Sequence, residues 1–269
     1  VLTTTRRKLI VQKVESQGQV TLAELSSEFG VSGITIRRDL DVLERDGVLV
    51  RVRGGAILPD NWEIHSYQAK ESVHLELKDA ISDLVAMMVR PNTSIFLDTG
   101  STMLGIARKL LERNTGPLTI CTNDIKVALE LGEHQNFSVI SLGGELRAHV
   151  YYVAGHFAEK MVHDLRADIA FIGCDSVSLR FGAMTSSREL IPLKKAMMAS
   201  SRRSVLVCDS SKFGRMSSAA IASVVEFDVL ITDDQLSDTE VELLTKAGID
   251  FKMATTTLDE QQIDGEEIP

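Results

Sequence analysis

VSGITIRRDLDVLERDGVLVRVRGGA, running from Val31 to Ala56, is the stretch that decides how this chain is read. Ser32 is placed to cap a helix, and Ile36, Leu40 and Leu43 fall at i, i+4 and i+7, a stripe that faces a core. Arg37, Arg38 and Arg45 lie mostly off that stripe. Asp46-Gly47 then stops the helix, VLVRVR alternates Val with Arg, and Gly54-Gly55 turns the chain back, which predicts a strand, a tight turn and a return strand. A helix followed by a small basic hairpin is the layout of a winged helix-turn-helix, so contact with double-stranded DNA is expected.

Working outward, Thr3 to Thr5 offer a cap for a first helix carried by Leu9, Ile10 and Val14 and ending at Gln17-Gly18. Thr21-Leu22-Ala23-Glu24 is a capping box that opens a short second helix, and Gly30 closes it after Phe29. Only a few residues separate this helix from Ser32, the spacing of a helix-turn-helix whose second helix enters the major groove. Ser32, Thr35, Arg37 and Arg38 then lie in the first turns, where Arg can bind guanine bidentately and a hydroxyl can bond to base or phosphate. Arg51 and Arg53 alternate with Val50 and Val52, so they are expected to share one face of the wing and reach phosphate or the minor groove.

The net charge of the 269 residues is −9, which looks wrong for a DNA binder until it is divided. Residues 1–58 carry nine Lys/Arg against seven Asp/Glu, and the other 211 carry 20 against 31. A basic address module on an acidic body excludes nonspecific coating of DNA, not a specific grip. No apolar run approaches membrane-spanning length and the N-terminus lacks a signal-peptide pattern, so a cytoplasmic protein without membrane contact is expected. Cys121, Cys174 and Cys208 show no ligand or disulfide spacing and read as buried thiols. His149, His156 and His163 lack Cys or acid partners, so neither a metal nor a cofactor is expected.

Leu58-Pro59-Asp60-Asn61 breaks the pattern. The expected division is a DNA-binding domain at 1–58, a linker at 59–74 containing Trp62 and Tyr67, an α/β domain at 75–257 and an acidic tail at 258–269. From Leu75 onward helices alternate with apolar strands at 94–97, 118–121, 137–142, 169–172, 205–208, 229–231 and 251–254. That rhythm predicts an α/β fold, a mostly parallel sheet with helices on both faces. In such sheets ligands bind at the carboxyl ends of the strands. The candidates there are Asp98, Gly100, Ser101 and Thr102 after the first strand, Thr122 and Asn123 after the second, and Gly143 and Gly144 after the third. Asp175 and Lys212 complete the set. Gly, Ser and Thr at a helix start favour an anion, and Lys212 supplies a cation. Tyr151 and Tyr152 fit either the pocket or the core.

The stretch from Val20 to Ala56 resembles the DeoR family of bacterial transcription regulators, whose pattern runs through VSxxTIRRDL to the double glycine. The family commonly has His just before that Gly pair, where this chain has Arg53, a departure that bears on operator preference at the wing. The resemblance continues through LDTGST, TND, LGG, AFIG, DSSKFG and ITD, in order between Leu97 and Asp233. It implies an effector domain similar to sugar-phosphate isomerases that senses a phosphorylated sugar or polyol, hence a regulator of carbohydrate genes, usually a repressor. A single recognition helix reads few base pairs, so a homodimer or homotetramer on repeated half-sites is expected. The alternative is an isomerase-type enzyme with Asp98 or Asp175 as acid/base and Lys212 as electrostatic aid. No nucleophile, base and orienting group come together in the sequence to support it, and no catalytic residue is assigned.

Overall fold

The computed structural model describes residues 3–45, 48–57, 67–147 and 150–256. The first unit is built from α1 (Thr3–Gln17), β1 (Gln19–Thr21), α2 (Leu22–Phe29), α3 (Gly33–Arg45), β2 (Val50–Val52) and β3 (Gly55–Ile57). The capping box at the start of α2 is present in both directions: Thr21 N–H donates to Glu24 at 2.9 Å and Glu24 N–H to Thr21 Oγ1 at 3.2 Å. Gly30 closes the helix in the left-handed conformation. Ile10, Val14, Leu25, Ile36 and Leu40 are fully buried and form its core. The stop expected at Asp46-Gly47 lies outside the described residues.

The hairpin is a three-stranded sheet ordered β1-β3-β2, because the strand before α2 pairs with the return strand of the wing, Val20 opposite Ala56. That pairing explains the double glycine. Gly54 turns at φ +90°, and a Cβ on Gly55 would stand 1.9 Å from the Val20 carbonyl oxygen. One glycine makes the turn and the other lets two strands touch.

The second unit is a seven-stranded parallel sheet ordered β15-β14-β12-β9-β4-β5-β6. Its strands are β4 (Thr93–Leu97), β5 (Leu118–Thr122), β6 (Phe137–Ser141), β9 (Ala167–Gly173), β12 (Ser201–Val207), β14 (Val229–Asp233) and β15 (Phe251–Ala254). Period-2 alternation sends Ile95, Leu97, Ile120, Phe171, Val205 and Ile231 to one face and Phe96, Cys121, Ile172, Leu206 and Leu230 to the other. On the first face pack α5 (Leu75–Met88), α6 (Ser101–Glu112) and α7 (Ile125–Gly132), on the second α8 (His156–Asp164), α9 (Ile191–Ala199) and α10 (Asp238–Lys246). The expected mostly parallel, doubly covered sheet is therefore what the chain forms.

Three features were not in the sequence reading. Asp124 caps α7, accepting from Lys126 N–H at 2.9 Å and Val127 N–H at 3.2 Å. Short antiparallel strands sit outside the main sheet: β7 (Glu145–Leu146) with β8 (Val153–Ala154), and β10 (Ser176–Ser178), β11 (Gly182–Thr185) and β13 (Ala219–Ala222). The segment read as a linker contains a helix, α4 (Tyr67–Ser72), whose Tyr67 is 4% exposed in the core of the body. Trp62, His149 and the acidic tail lie outside the described residues.

Candidate effector cavity and nucleic-acid interface

β4 sits mid-sheet between β5 and β9, so the chain order reverses there and a crevice opens between the carboxyl ends of β4 and β9. Open α/β sheets bind ligands at this switch point. A cavity of about 120 Å³ occupies it. After β4, Gly100 at φ +132° leads into α6, and Ser101 and Thr102 line the cavity at the helix start, where N–H groups lack intrahelical acceptors. Asp175 follows β9, and Asp209, Ser211, Lys212 and Arg215 follow β12.

Of the sequence candidates, Gly100, Ser101, Thr102, Asp175 and Lys212 come together in this wall, and five others do not. Asp98 is fully buried beneath it, pairing with Lys194 and accepting from Gly173 N–H at 2.9 Å, so it holds the β4 and β9 ends together instead of facing a ligand. Thr122 and Asn123 end β5, one strand away from the switch. Both are buried, with Thr122 Oγ1 accepting from Asp124 N–H at 3.1 Å and Asn123 Nδ2 donating to the Val153 carbonyl at 3.4 Å. Gly143 and Gly144 follow the edge strand β6. At Gly144, φ is +150° and a Cβ would come within 2.6 Å of the Ala154 carbonyl oxygen, so this glycine admits the β7–β8 pairing rather than a ligand.

The wall also holds Tyr152, which the sequence reading left open between pocket and core, and residues that reading did not assign to a ligand. Tyr67 and Lys70 come from α4, His74 from the turn after it, and Lys78 from α5; Tyr152, Thr185, Ser187 and Lys194 close the other sides. Lys70 Nζ donates to Asp175 Oδ1 at 2.7 Å, while Thr185 Oγ1 and Ser186 N–H reach Oδ2, both at 2.9 Å. Burial alone would raise the Asp175 carboxyl, but the Lys70 charge and hydrogen bond, with Ser186 N–H and Lys212, hold it well below the usual range. Asp209 is lowered in the same way: burial raises it, and Lys212 and Lys78 outweigh that. Lys212 answers with a raised value, since Asp209 and Asp175 overcome its burial. Burial, reinforced by Lys78, Lys212 and Arg215 against the pull of Asp209, lowers His74 from its ordinary value. The lining thus carries five cations, Lys70, Lys78, Lys194, Lys212 and Arg215, against Asp175 and Asp209. Asp209 Oδ2, buried, has no hydrogen-bond partner among the described residues.

Tyr152 lines the cavity and donates to Glu189 at 2.9 Å, and burial pushes its hydroxyl up to about 12. Tyr151 instead packs edge-on against Tyr67. Cys121 and Cys208 are buried as read from sequence, whereas Cys174, against that reading, is only half-buried, because it lies at the cavity wall; Cys208 borders the cavity too. Among the described residues no group of His, Cys, Asp and Glu could hold a metal, and no helix is long and apolar enough to cross a membrane.

In the head, Arg37 and Arg38 are exposed on α3 and neither has an acid partner among the described residues. Ser32 Oγ and Thr35 Oγ1 lie 3.0 Å apart, and Thr35 N–H donates to Ser32 Oγ at 3.3 Å, so both hydroxyls serve the helix start. Arg53 is exposed in the turn of the wing. Arg51 departs from expectation. It is half-buried, pairs with Asp41 of α3 and its N–H donates to Glu44 at 3.0 Å, whereas Val50 and Val52 are the exposed residues. The strand faces are swapped because an acidic pair on α3 draws Arg51 inward. The sequence reading also missed Asp39, 2% exposed, which binds Arg6 at 2.6 Å and Arg7 at 2.9 Å and ties α1 to α3.

Residues 6–61 match the DeoR-like helix-turn-helix domain and residues 73–234 the DeoR C terminal sensor domain. Over 250 residues the chain is 36% identical to the HTH-type transcriptional regulator YgbI of Escherichia coli (strain K12), covering 93% of this chain and 97% of that one. It is 30% identical to the glycerol-3-phosphate regulon repressor of the same strain, covering 93% and 98%. Ribose 5-phosphate isomerase A from Neisseria gonorrhoeae superposes with a TM-score of 0.39 at 17% identity over 55% of each chain, too loose a likeness to speak to chemistry. The two relatives found by sequence are named as transcription regulators, and the chain belongs to the DeoR family of helix-turn-helix transcription regulators.

Proposed function

We propose that this regulator represses sugar or polyol catabolism genes and that a phosphorylated sugar or polyol, bound in the cavity at the β4/β9 switch point, controls its grip on the operator. The observation that carries this reading is the excess of five cations over two acids in the cavity wall of a chain whose net charge is −9. Such a pocket focuses a positive field on an otherwise acidic body and favours a phosphate. The start of α6, with Ser101 and Thr102, supports the same end of the ligand. The unpartnered Asp209 Oδ2 supports the other end, as an acceptor for hydroxyls.

Coupling to the head has a physical route. Val73 is buried in the head's core cluster and also borders the cavity, and its neighbour His74 lines the cavity too. A ligand that draws Lys70 away from Asp175 therefore pulls on a segment on which the head is packed. In the head, Ser32, Thr35, Arg37, Arg38 and Arg53 are assigned to DNA, and Arg51 to support of α3. The division into 1–58 for DNA, 59–74 as connector and 75–257 for effector and self-association is part of this reading, as is a homodimer or homotetramer.

The test is a thermal-shift panel of phosphorylated and unphosphorylated sugars and polyols on the full chain. A phosphorylated member at a hundred times its Kd stabilises by about 2.7 kcal/mol. Lys212→Ala removes that shift and the ligand's effect on a DNA complex while leaving basal DNA binding. A panel in which phosphate makes no difference, or a Lys212→Ala variant that responds like wild type, overturns the assignment.

A further inference from the structure

We propose that Ile34 is a specificity-determining residue of the recognition helix, packing on the 5-methyl group of a thymine in the major groove. The inference rests on the DNA-binding reading of the head. Residues 34, 37, 38, 41 and 45 of α3 follow one another at helical spacing along a single face, and Ile34, Arg37, Arg38, Asp41 and Arg45 are all exposed there. Ile36, Asp39, Leu40 and Leu43 fill the opposite, buried face. Ile34 is thus the apolar member of a charged stripe, 64% exposed, in the first turn.

Among the described residues of the head nothing accounts for an isoleucine at this place. It buries no core surface, and a β-branched residue gains nothing in helix propensity over Ala, Glu or Lys. Its neighbours recede from it: Gly33 has no side chain, and the Ser32 and Thr35 hydroxyls are turned to each other. Ile34 is therefore the group that projects from the leading turn, the part of a recognition helix that approaches base edges. The major groove offers one apolar feature to such a group, the thymine methyl. Charge selects this occupant over a second copy of the same face, since Arg37 and Arg38 attract phosphate and would oppose their own kind.

The experiment begins with the full-length protein selecting duplexes from a random-sequence library. Each thymidine of the selected duplex is then replaced singly by deoxyuridine, which removes the methyl and keeps every hydrogen bond. At one position in each half-site, wild type should lose about fourfold in affinity, the equivalent of about 0.8 kcal/mol for one buried methyl-sized group. Ile34→Ala, a surface change that leaves the head folded, should bind both duplexes alike. Ile34→Val should retain part of the discrimination. A flat deoxyuridine scan in wild type, or undiminished sensitivity in Ile34→Ala, overturns the proposal while leaving DNA binding intact. A variant that changes oligomeric state by light scattering with its methyl sensitivity unaltered also overturns it, in favour of a protein contact. Failure to select any duplex would overturn this proposal together with the reading beneath it.

Discussion

The recognition face and the effector cavity are both rich in cations, yet they hold them in opposite ways. On α3, Arg37 and Arg38 stand exposed without acid partners among the described residues. In the cavity, Lys70 is tied to Asp175, Lys194 to Asp98, and Lys212 sits in the field of Asp209 and Asp175. An unpaired surface charge is ready for a polymer that arrives from solvent with its own counterions to release. A paired, half-buried charge must be taken from an internal partner, so binding there rearranges the protein. The first arrangement suits a grip and the second a sensor.

The largest effect that would sharpen this contrast lies where the head does bury a charge. Asp39→Ala removes the buried carboxylate that holds Arg6 and Arg7 and ties α1 to α3, and should cost about 3–5 kcal/mol of head stability in chemical denaturation. A loss below about 1 kcal/mol would mean that the pair is solvated in solution. Arg37→Ala and Arg38→Ala come next. Each should weaken operator binding by about 1–3 kcal/mol if it contacts a base, with unchanged unfolding and an unchanged effector-induced thermal shift. An effect on stability instead of affinity would erase the distinction between the two regions.

Smaller again is Lys70→Ala. Its ion pair is partly exposed and should contribute about 1 kcal/mol or less to folding, while the response of DNA binding to effector should be lost. A variant that still responds would show that the paired cation is not part of the sensor. The smallest effect is on pH dependence. The Asp175 carboxyl sits below its unfolded value of about 3.9, so its stabilising contribution is complete above that pH and fades as pH falls towards the folded value. Asp175→Asn should therefore flatten the fall in melting temperature between about pH 4 and pH 2, and an unchanged slope would remove Lys70 as the cause.

What was legible in the sequence follows the same divide. Local rules served the head well: the capping box at Thr21, the Gly30 stop and the stripe of Ile36, Leu40 and Leu43 depend on residues a few positions apart. They also served the main sheet, where alternating apolar runs marked each strand. They failed where one residue is claimed by a distant one. Arg51 alternates correctly with its valines, but Asp41 and Glu44 on the neighbouring helix decide which way it turns. Strand ends all look alike in sequence, and only the order β6-β5-β4-β9-β12 shows that those of β4, β9 and β12 share a crevice and those of β5 and β6 do not. Lys70, His74 and Lys78 carried no motif at all, because their role comes from α4 and α5 being laid across that crevice.

The pairing of Arg6 and Arg7 with Asp39 has a consequence for how the protein is counted on DNA. With those two, Lys13 and Arg51 engaged internally, the described side chains leave Arg37, Arg38, Arg45 and Arg53 to meet phosphate. At about −0.9 per phosphate, those four cations of one head account for a logarithmic salt slope of about −3.6. A titration that runs near twice as steep has two heads on the same duplex, so ionic strength alone reads out the stoichiometry of the complex.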